Sequence, residues 1–508
     1  MKSVIATLLL LLTAVNLSAQ SHYLDQSFGD GGVATTDKLL NIEDMAFDND
    51  GRIIALSKVQ LPPYNFSWYL SRYDEFGNID ASFGSEEGVE TLFFETRFSL
   101  DEIYISEGNK ILLPGSRSID FFKPLLAKCT ENGIFDNSFG DNGIFINELS
   151  EEYVWNNPFT ELANGQFLFG GRKWIYESEE DVRGRSCAIL VKFNADTTID
   201  PSFGKEGVIV FNGSDFDFGP AVTLPLRDGN IACGGGMSVK AGSAFVITKL
   251  TLDGYLVEDF GEKGKIIVDV IPNQDFSTWN YFEGCLEIIE LSNSQLIVIG
   301  YTDGNEPQPA IIKINADGTL DKAFADDGVL EVFERTQQGR FYYDGLFVDE
   351  ITGHIVLSGR NNETPTINRY DVNSGKLVVG EPVNFPPGAY MNKMIAYPDG
   401  SLLFGGFIGS EAALIKMLYR DIIPVEATAS DNLIIYPNPF DKAICVEYSG
   451  EELKSLALYD QSGRRVFQKT VEGFNVCVEP NLPPGTYALV IETASGKQYS
   501  KKIIKQQR

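Results

Sequence analysis

The stretch Phe135-Asp136-Asn137-Ser138-Phe139-Gly140 belongs to a phrase that recurs along this chain of 508 residues. Close copies are Leu24-Asp25-Gln26-Ser27-Phe28-Gly29, Ile79-Asp80-Ala81-Ser82-Phe83-Gly84 and Ile199-Asp200-Pro201-Ser202-Phe203-Gly204, and weaker copies are Val257-Glu258-Asp259-Phe260-Gly261 and Leu320-Asp321-Lys322-Ala323-Phe324-Ala325. We call it the linker phrase. Successive copies of its last Phe lie 55, 56, 64, 57 and 64 residues apart. Self-similarity at such a period indicates a repeat architecture.

Two further phrases lie between the linker phrases, and each occurs seven times. One is a turn, often Asp-Gly or Asn-Gly, that leads into an apolar strand, as in residues 51–56, 108–115, 165–171, 229–235, 294–300, 353–359 and 400–406. The other is an apolar strand that ends in a cation, namely Arg72, Lys128, Lys192, Lys249, Lys313, Arg369 or Lys416. The two phrases therefore predict seven repeat units.

Each unit supplies four candidate strands, which in the second unit are roughly residues 89–94, 102–106, 110–113 and 124–129. Four short antiparallel strands with glycine turns are typical of a propeller blade. A β-helix or an elongated array of small sandwiches is the alternative, but solenoid coils usually repeat every 20 to 30 residues. The pattern therefore predicts an all-β fold, a seven-bladed β-propeller over residues 22–420.

The recurrence of the linker phrase along the chain predicts structural roles for its residues. The Asp caps a turn through backbone N–H groups, the Phe wedges between blades, and the Gly permits a turn or a close backbone approach. Replacing a buried linker Phe by Ala should cost about 3–5 kcal/mol. These structural residues are Asp25, Phe28, Gly29, Asp80, Phe83, Gly84, Asp136, Phe139, Gly140, Asp200, Phe203, Gly204, Phe260, Gly261, Asp321 and Phe324.

The three phrases together resemble the delta-60 repeat family of secreted bacterial proteins, which implies a propeller over residues 24 to about 420. The chain departs from that pattern in places: the fifth linker lacks Ser, the sixth has Ala325 for Gly, and the seventh, Lys376-Leu377-Val378-Val379-Gly380, has lost the phrase. The way in which the ring closes is open. The strand after Gly32 either completes the last blade or begins a blade of its own.

The two ends of the chain differ from the middle. Residues 1–19 combine Lys2, an apolar run too short to span a bilayer, and Ala19 before a cleavage point, which predicts a signal peptide. Residues 421–431 read as a small polar linker. Residues 432–508 alternate apolar and polar side chains between Ser-Gly and Pro-Gly turns, which predicts a small immunoglobulin-like β-sandwich.

This tail resembles the C-terminal sorting domain (type A) of the type IX secretion system. The resemblance rests on three ordered motifs and a basic end, and its sorting residues are Tyr436, Pro437, Asn438, Pro439, Gly463, Pro484, Gly485 and Tyr487. It implies a partner, the type IX secretion machinery, and a destination, the cell surface or the extracellular medium. An ordinary immunoglobulin-like binding domain is the alternative interpretation of the tail.

Composition limits the function. The net charge is -30, which argues against nucleic acid or an anionic membrane as a partner, and no transmembrane helix is expected in the mature chain. His22 and His354 are the two histidines, and neither is placed as a catalytic base. No cofactor is predicted. Calcium at the oxygen-rich turns of residues 48–51 and 326–328 is the weaker alternative to turn chemistry, because no twelve-residue loop with a terminal Glu is present.

Six cysteines occur, and Cys445 and Cys477 fall on separate strands of the tail, where a bridge could form in an oxidising compartment. Catalytic and metal-binding residues remain unassigned. We therefore expect a binding or adhesion module for a glycan or protein ligand. The alternatives are a carbohydrate-active hydrolase or lyase that uses Asp and Glu side chains in the propeller channel, and a structural surface-layer component.

Overall fold

The computed structural model describes residues 24–61, 65–92, 98–118, 122–147, 153–154, 158–175, 185–211, 220–239, 242–270, 284–302, 308–332, 341–350, 353–361, 364–383, 385–397, 400–418, 433–436, 440, 442–448, 452–459, 465–480, 482–483, 485–494 and 498–505. Its regular elements are β-strands except for two 3-10 turns, Glu107–Asn109 and Ala163–Gly165. Neither helical turn has the length needed to cross a membrane, and no other helix occurs in these ranges. The signal-peptide prediction and His22 lie outside the described residues.

Seven antiparallel sheets occupy the described part of residues 33–417. Their strands are, for sheet 1, Ile42–Phe47, Ile53–Leu61, Asn65–Tyr73 and Val89–Leu92; for sheet 2, Phe98–Leu100 with Tyr104–Ile105, Ile111–Ser118, Phe122–Cys129 and Ile144–Ile146; for sheet 3, Tyr153–Val154 with Phe159–Glu161, Phe167–Ile175, Arg185–Phe193 and Val208–Phe211; for sheet 4, Pro220–Pro225, Ile231–Val239, Gly242–Leu250 and Lys265–Val268; for sheet 5, Gly284–Glu290, Leu296–Tyr301, Pro309–Ile314 and Val329–Glu331; for sheet 6, Phe341–Asp349, His354–Asn361, Thr364–Asp371 and Leu377–Pro382; and for sheet 7, Ala389–Ala396, Leu402–Ile408, Glu411–Met417 and Val33–Thr36.

The structure corrects the phase of the repeat. The sequence pattern groups the strand after each linker with the three strands that follow it. In the structure, Val89–Leu92 instead pairs with Asn65–Tyr73 of sheet 1, with Trp68 opposite Leu92. The linker turns the chain back on the strand it has just left, so antiparallel pairing with that strand is the nearest solution. Each sheet therefore begins at the strand before the Asp-Gly turn and ends with the strand after the linker.

The chain packs as two compact units, a larger one of residues 35–395 and 404–414 and a smaller one of residues 1–34, 396–403 and 415–508. Within the smaller unit the N-terminal linker phrase pairs with the last cation strand. Leu24 and Met417 form an antiparallel bridge, and the Asp25 N–H donates to the Lys416 carbonyl at 2.9 Å. The Lys416 N–H donates in turn to the Gly32 carbonyl at 3.0 Å. The N-terminal segment thus supplies the linker for the seventh cation strand.

The described residues of the tail form two further antiparallel sheets. One contains Leu433–Tyr436, Ile444–Tyr448 and Asn475–Val478, and the other contains, in spatial order, Arg465–Gly473, Leu453–Tyr459, Gly485–Thr493 and Gln498–Lys505. Side chains of both sheets, including Val446 and Leu489, share one buried cluster. Cys445 and Cys477 lie opposite each other in the first sheet and are joined by a disulfide.

Candidate functional site

The linker phrase and the cation strand form one contact unit, which we call the linker lock. In sheet 1, Arg72 Nε lies 2.8 Å from Asp80 Oδ2, and the guanidinium carbon lies 4.8 Å from the centre of the Phe83 ring. Arg72 also donates from Nη1 to the Glu131 carbonyl of sheet 2 at 2.9 Å. The Phe83 ring is fully buried and packs on Gly133, where an added Cβ would lie 2.5 Å from the ring. The lock therefore ties sheet 1 to sheet 2.

Other sheets repeat this lock with lysine. Lys192 contacts Asp200 at 3.1 Å and donates to the Leu252 carbonyl, and Lys313 contacts Asp321 at 3.1 Å and donates to the Val372 carbonyl. In the smaller unit Lys416 contacts Asp25 at 3.1 Å. Six of the seven repeat cations lie over a linker ring, and all six rings are buried, namely Phe28, Phe83, Phe139, Phe203, Phe260 and Phe324.

The irregular copies of the linker phrase keep parts of the lock. Where the fifth linker has Val257 in place of Asp, Lys249 contacts Asp228 at 2.6 Å instead. Where the sixth has Ala325 in place of Gly, its backbone still adopts φ +46° and its N–H donates to the Ser374 carbonyl at 2.9 Å. A left-handed backbone is costly for Ala, so the cross-sheet hydrogen bond holds that conformation against its local preference.

The linker carboxylates make the stability of the fold sensitive to acid. The pKa values of Asp80, Asp136 and Asp200 lie below 3.8, chiefly because the serine hydroxyl two residues later donates to each carboxylate. A carboxylate whose pKa is lower in the folded chain stabilises the fold above its unfolded pKa and loses that effect as pH falls through its folded pKa. We expect urea titrations to show stability falling below about pH 4, and the combined Ser82→Ala, Ser138→Ala and Ser202→Ala variant to show a shallower fall.

A second repeated position lies in the first strand of each sheet or directly beside it. In six sheets a backbone hydrogen bond closes the turn after the first strand, as from the Asp48 N–H to the Arg52 carbonyl. The repeated position lies four residues before the residue that donates this bond, for example Asp44 before Asp48 and Glu102 before Ser106. In sheet 6 the strand register assigns Gly345, which lies opposite Ser358 as Asp44 lies opposite Leu56. The occupants of this central position in sheets 1 to 7 are Asp44, Glu102, Pro158, Val222, Glu287, Gly345 and Lys393.

The charged occupants of the central position meet in one place, which we call the central charge cluster: Asp44, Glu102, Glu287 and Lys393 together with Tyr104 and Tyr343. Lys393 Nζ lies 2.8 Å from Asp44 Oδ1. The Ile103 N–H donates to Asp44 Oδ2 at 2.7 Å, and the Tyr104 hydroxyl donates to Glu102 at 2.6 Å. The Tyr343 hydroxyl donates to Glu287. Contacts therefore join sheets 1, 2 and 7 at Asp44, and sheets 5 and 6 at Glu287.

Electrostatic interactions cross this cluster between sheets that are not neighbours in the chain. Burial raises the pKa of the Glu287 carboxyl, and Glu102 of sheet 2 raises it further. Burial lowers the pKa of Lys393, but the carboxylates of Asp44, Glu102 and Glu287 outweigh it, so the net shift is upward and the ammonium stays charged. The Lys393 side chain is 34 % exposed, so solvent reaches the cluster.

Sequence reasoning missed the central charge cluster, because its residues share a position and not a motif. The available signal was a charged residue within an otherwise apolar strand before the turn, as in Ile42-Glu43-Asp44-Met45-Ala46-Phe47. Counting back four residues from each turn would have aligned the central positions. The sheets that carry Pro, Val or Gly there show that the fold does not require a charge at this position.

The remaining candidates occupy structural positions. His354 begins a strand of sheet 6, opposite Asp349. In the first oxygen-rich turn, Asp48 accepts the N–H groups of Asp50 and Arg52. In the second, Asp326 N–H donates to the Val329 carbonyl and Asp327 has φ +50°. Within the described ranges, no three His, Cys, Asp or Glu side chains are placed to hold one metal ion.

The cysteines of the seven sheets are buried thiols, namely Cys129, Cys187, Cys233 and Cys285. Burial raises the pKa of Cys233 to about 12, so this thiol stays protonated and packs as a small apolar side chain.

The sorting residues are described in part. Tyr436 ends the strand Leu433–Tyr436, and Gly485 begins the strand Gly485–Thr493. The Tyr487 hydroxyl donates to the Pro483 carbonyl at 2.6 Å, and its ring is buried in the tail core. Pro437, Asn438, Pro439, Gly463 and Pro484 lie outside the described residues.

Two stretches of the chain match known protein families. Residues 434–506 match the secretion system C-terminal sorting domain, and residues 291–324 match a β-propeller domain of unknown function (DUF5122). The chain is a β-propeller protein with a type IX sorting tail. The sorting tail confirms the predicted export of this propeller protein to the cell surface or the extracellular space, and it implies interaction with the type IX secretion machinery.

No curated protein sequence matches the propeller protein. Similar solved structures include Drosophila Semaphorin 2a, at 10 % identity and a TM-score of 0.44, covering 94 % of this chain and 98 % of that one. Another is the polysaccharide lyase Uly1, at 10 % identity and a TM-score of 0.42, covering 74 % of this chain and 89 % of that one. The Dos1 propeller is similar at 11 % identity and a TM-score of 0.39, covering 74 % and 77 %.

Proposed function

We propose that this exported protein is a seven-bladed propeller that binds a glycan or protein ligand at its central charge cluster. In this proposal residues 1–19 are a signal peptide, residues 22–420 form the ring, residues 421–431 link it to the tail, and residues 432–508 form an immunoglobulin-like sandwich. A closed ring is supported because sheets 2 and 5, which are distant in the chain, share one cluster through Tyr104, Glu102 and Glu287.

The observation that carries the binding proposal is the choice of residues at the central position. Pro158, Val222 and Gly345 satisfy that position in three sheets, whereas four other sheets place a charge there. Burying charges where apolar residues suffice costs stability, so a function other than folding is the simplest reason to keep them. Half-buried carboxylates and tyrosine hydroxyls are the groups that hydrogen-bond to sugar hydroxyls or to polar protein side chains.

The test uses the exported chain as the probe on a glycan array and as the bait in a pull-down of surface components of the producing cells. Both are run with and without divalent ions. We expect a ligand of the exported chain to bind the combined Glu102→Gln and Glu287→Gln variant at least about tenfold more weakly, because both carboxylates lose their charge. Glu75→Gln and Glu258→Gln, on exposed turns, are the matched control. Unchanged capture by the cluster variant, or no ligand under any condition, contradicts the proposal.

A carbohydrate-active hydrolase or lyase is the second candidate, and Glu287 is the observation that favours it. Its raised pKa suits a carboxylic acid that donates a proton, while Glu102 supplies a second carboxylate from another sheet. Turnover of a polysaccharide by the exported chain that Glu287→Gln abolishes, with binding retained, would establish this function in place of simple binding.

A further inference from the structure

The Lys393 ammonium is held by groups that do not depend on it. Its Nζ lies 2.8 Å from Asp44 Oδ1, while the other oxygen of Asp44 accepts the Ile103 N–H at 2.7 Å. The carboxylates of Glu102 and Glu287 are each fixed by a tyrosine hydroxyl, from Tyr104 and Tyr343. Because each of the three carboxylates accepts a hydrogen bond from a group other than Lys393, shortening Lys393 should leave them in place.

Three carboxylates and a single ammonium make up the charged groups of the cluster. Asp44, Glu102 and Glu287 come from three different sheets, and each of these carboxylates raises the pKa of the Lys393 ammonium. The phenols of Tyr104 and Tyr343 donate to two of these carboxylates and carry no charge. An ammonium offers three N–H donors, which suits a site where carboxylates approach from several sides.

We propose that the central charge cluster is a recognition site for a primary alkylammonium group, and that the side chain of Lys393 is its tethered occupant. The inference rests on the site of the proposed function and adds the class of group that the site takes. A ligand amine would compete with Lys393 for the same carboxylates. Removal of the side chain should turn the cluster into a binding site for a small free amine.

The experiment compares Lys393→Ala and Lys393→Met in the full exported chain by thermal unfolding at pH 7. Both lose the charge, so we expect both midpoints to fall by about 5 °C. Ethylammonium chloride at about 100 mM, a concentration chosen for weak sites, should restore at least half of the loss in Lys393→Ala, with a saturable dose response. Lys393→Met fills the space with a thioether, so ethylammonium should not move its midpoint, nor that of the unaltered chain.

Two controls separate recognition from salt effects. Tetramethylammonium chloride carries the same charge without N–H donors and should not restore Lys393→Ala. Adding Asp44→Asn to Lys393→Ala should abolish the response to ethylammonium. Equal responses to both salts, or rescue that persists without Asp44, would overturn the inference. If Lys393→Ala does not fold, the soluble yield after refolding with each salt gives the same comparison.

The outcome is independent of the ligand search. Rescue of Lys393→Ala by ethylammonium when no ligand is found on arrays or in pull-downs would keep the ammonium site and refute the binding function. A ligand that is lost in the cluster variants, without rescue by ethylammonium, would do the reverse.

Discussion

Phe83→Ala is expected to destabilise the chain by about 3–5 kcal/mol, because it empties a fully buried ring position between two sheets. The ring lies under the Arg72 guanidinium and on Gly133 of the next sheet, so both neighbours lose contacts at once. Urea unfolding followed by tryptophan fluorescence and circular dichroism measures the loss.

The same sheet offers a matched control. Phe76 is 51 % exposed on the turn that precedes the linker, and Phe76→Ala should change stability by no more than about 0.5 kcal/mol. A similar effect of the two substitutions would mean that the linker Phe does not wedge between sheets.

Lys313→Met should cost about 3–5 kcal/mol, because it leaves the Asp321 carboxylate without its cation in a largely buried site. The Lys313 side chain is 3 % exposed, and it also donates to the Val372 carbonyl at 2.9 Å, so one substitution removes an ion pair and a bond to the next sheet. The free energy of unfolding at pH 7 reports the effect.

A second substitution identifies its cause. Lys313→Met with Asp321→Asn removes the unpaired charge, and it should recover a large part of the lost stability while the carbonyl of Val372 stays without this donor. If the double variant is no more stable than Lys313→Met, the loss comes from packing and not from the buried charge.

The sequence could predict the linker lock in pieces and not as a unit. The phrases showed Asp200, Phe203 and Lys192 as repeated residues, but the periodicity does not say that the ammonium lies between the carboxylate and the ring. That arrangement depends on which strands pair. For the same reason the predicted grouping was wrong about Val89–Leu92: it placed this strand with the three strands that follow it, whereas the strand pairs in sheet 1.

The central charge cluster was beyond sequence reasoning for a different physical reason. Asp44 and Lys393 are far apart in the chain, and their contact at 2.8 Å exists only because the fold brings the first strands of sheets 1 and 7 together. A repeat pattern highlights positions that keep one residue type, whereas the residue at the central position changes from sheet to sheet. That variation is the reason to assign a function to the charged residues there.

The repeat pattern left open which sheet the N-terminal segment joins, and one strand pairing in the smaller unit answers that question. The phrase that begins at Leu24 serves the cation strand of Lys416, so the first linker in the chain belongs to the last sheet. The count of phrases is thereby consistent: the linker that follows Arg369 is lost, and the linker for Lys416 lies at the other end of the sequence.

Disulfide trapping of Leu24 and Met417 tests the closed ring most directly. In the exported chain carrying Leu24→Cys and Met417→Cys, we expect the two new thiols to form an intramolecular disulfide, seen by mass spectrometry as one linked peptide pair, and absent from either single variant. The antiparallel bridge between these residues brings their Cβ atoms within reach. Free thiols at both positions, or dimers linked through them, would contradict the closure of the sheets into a ring.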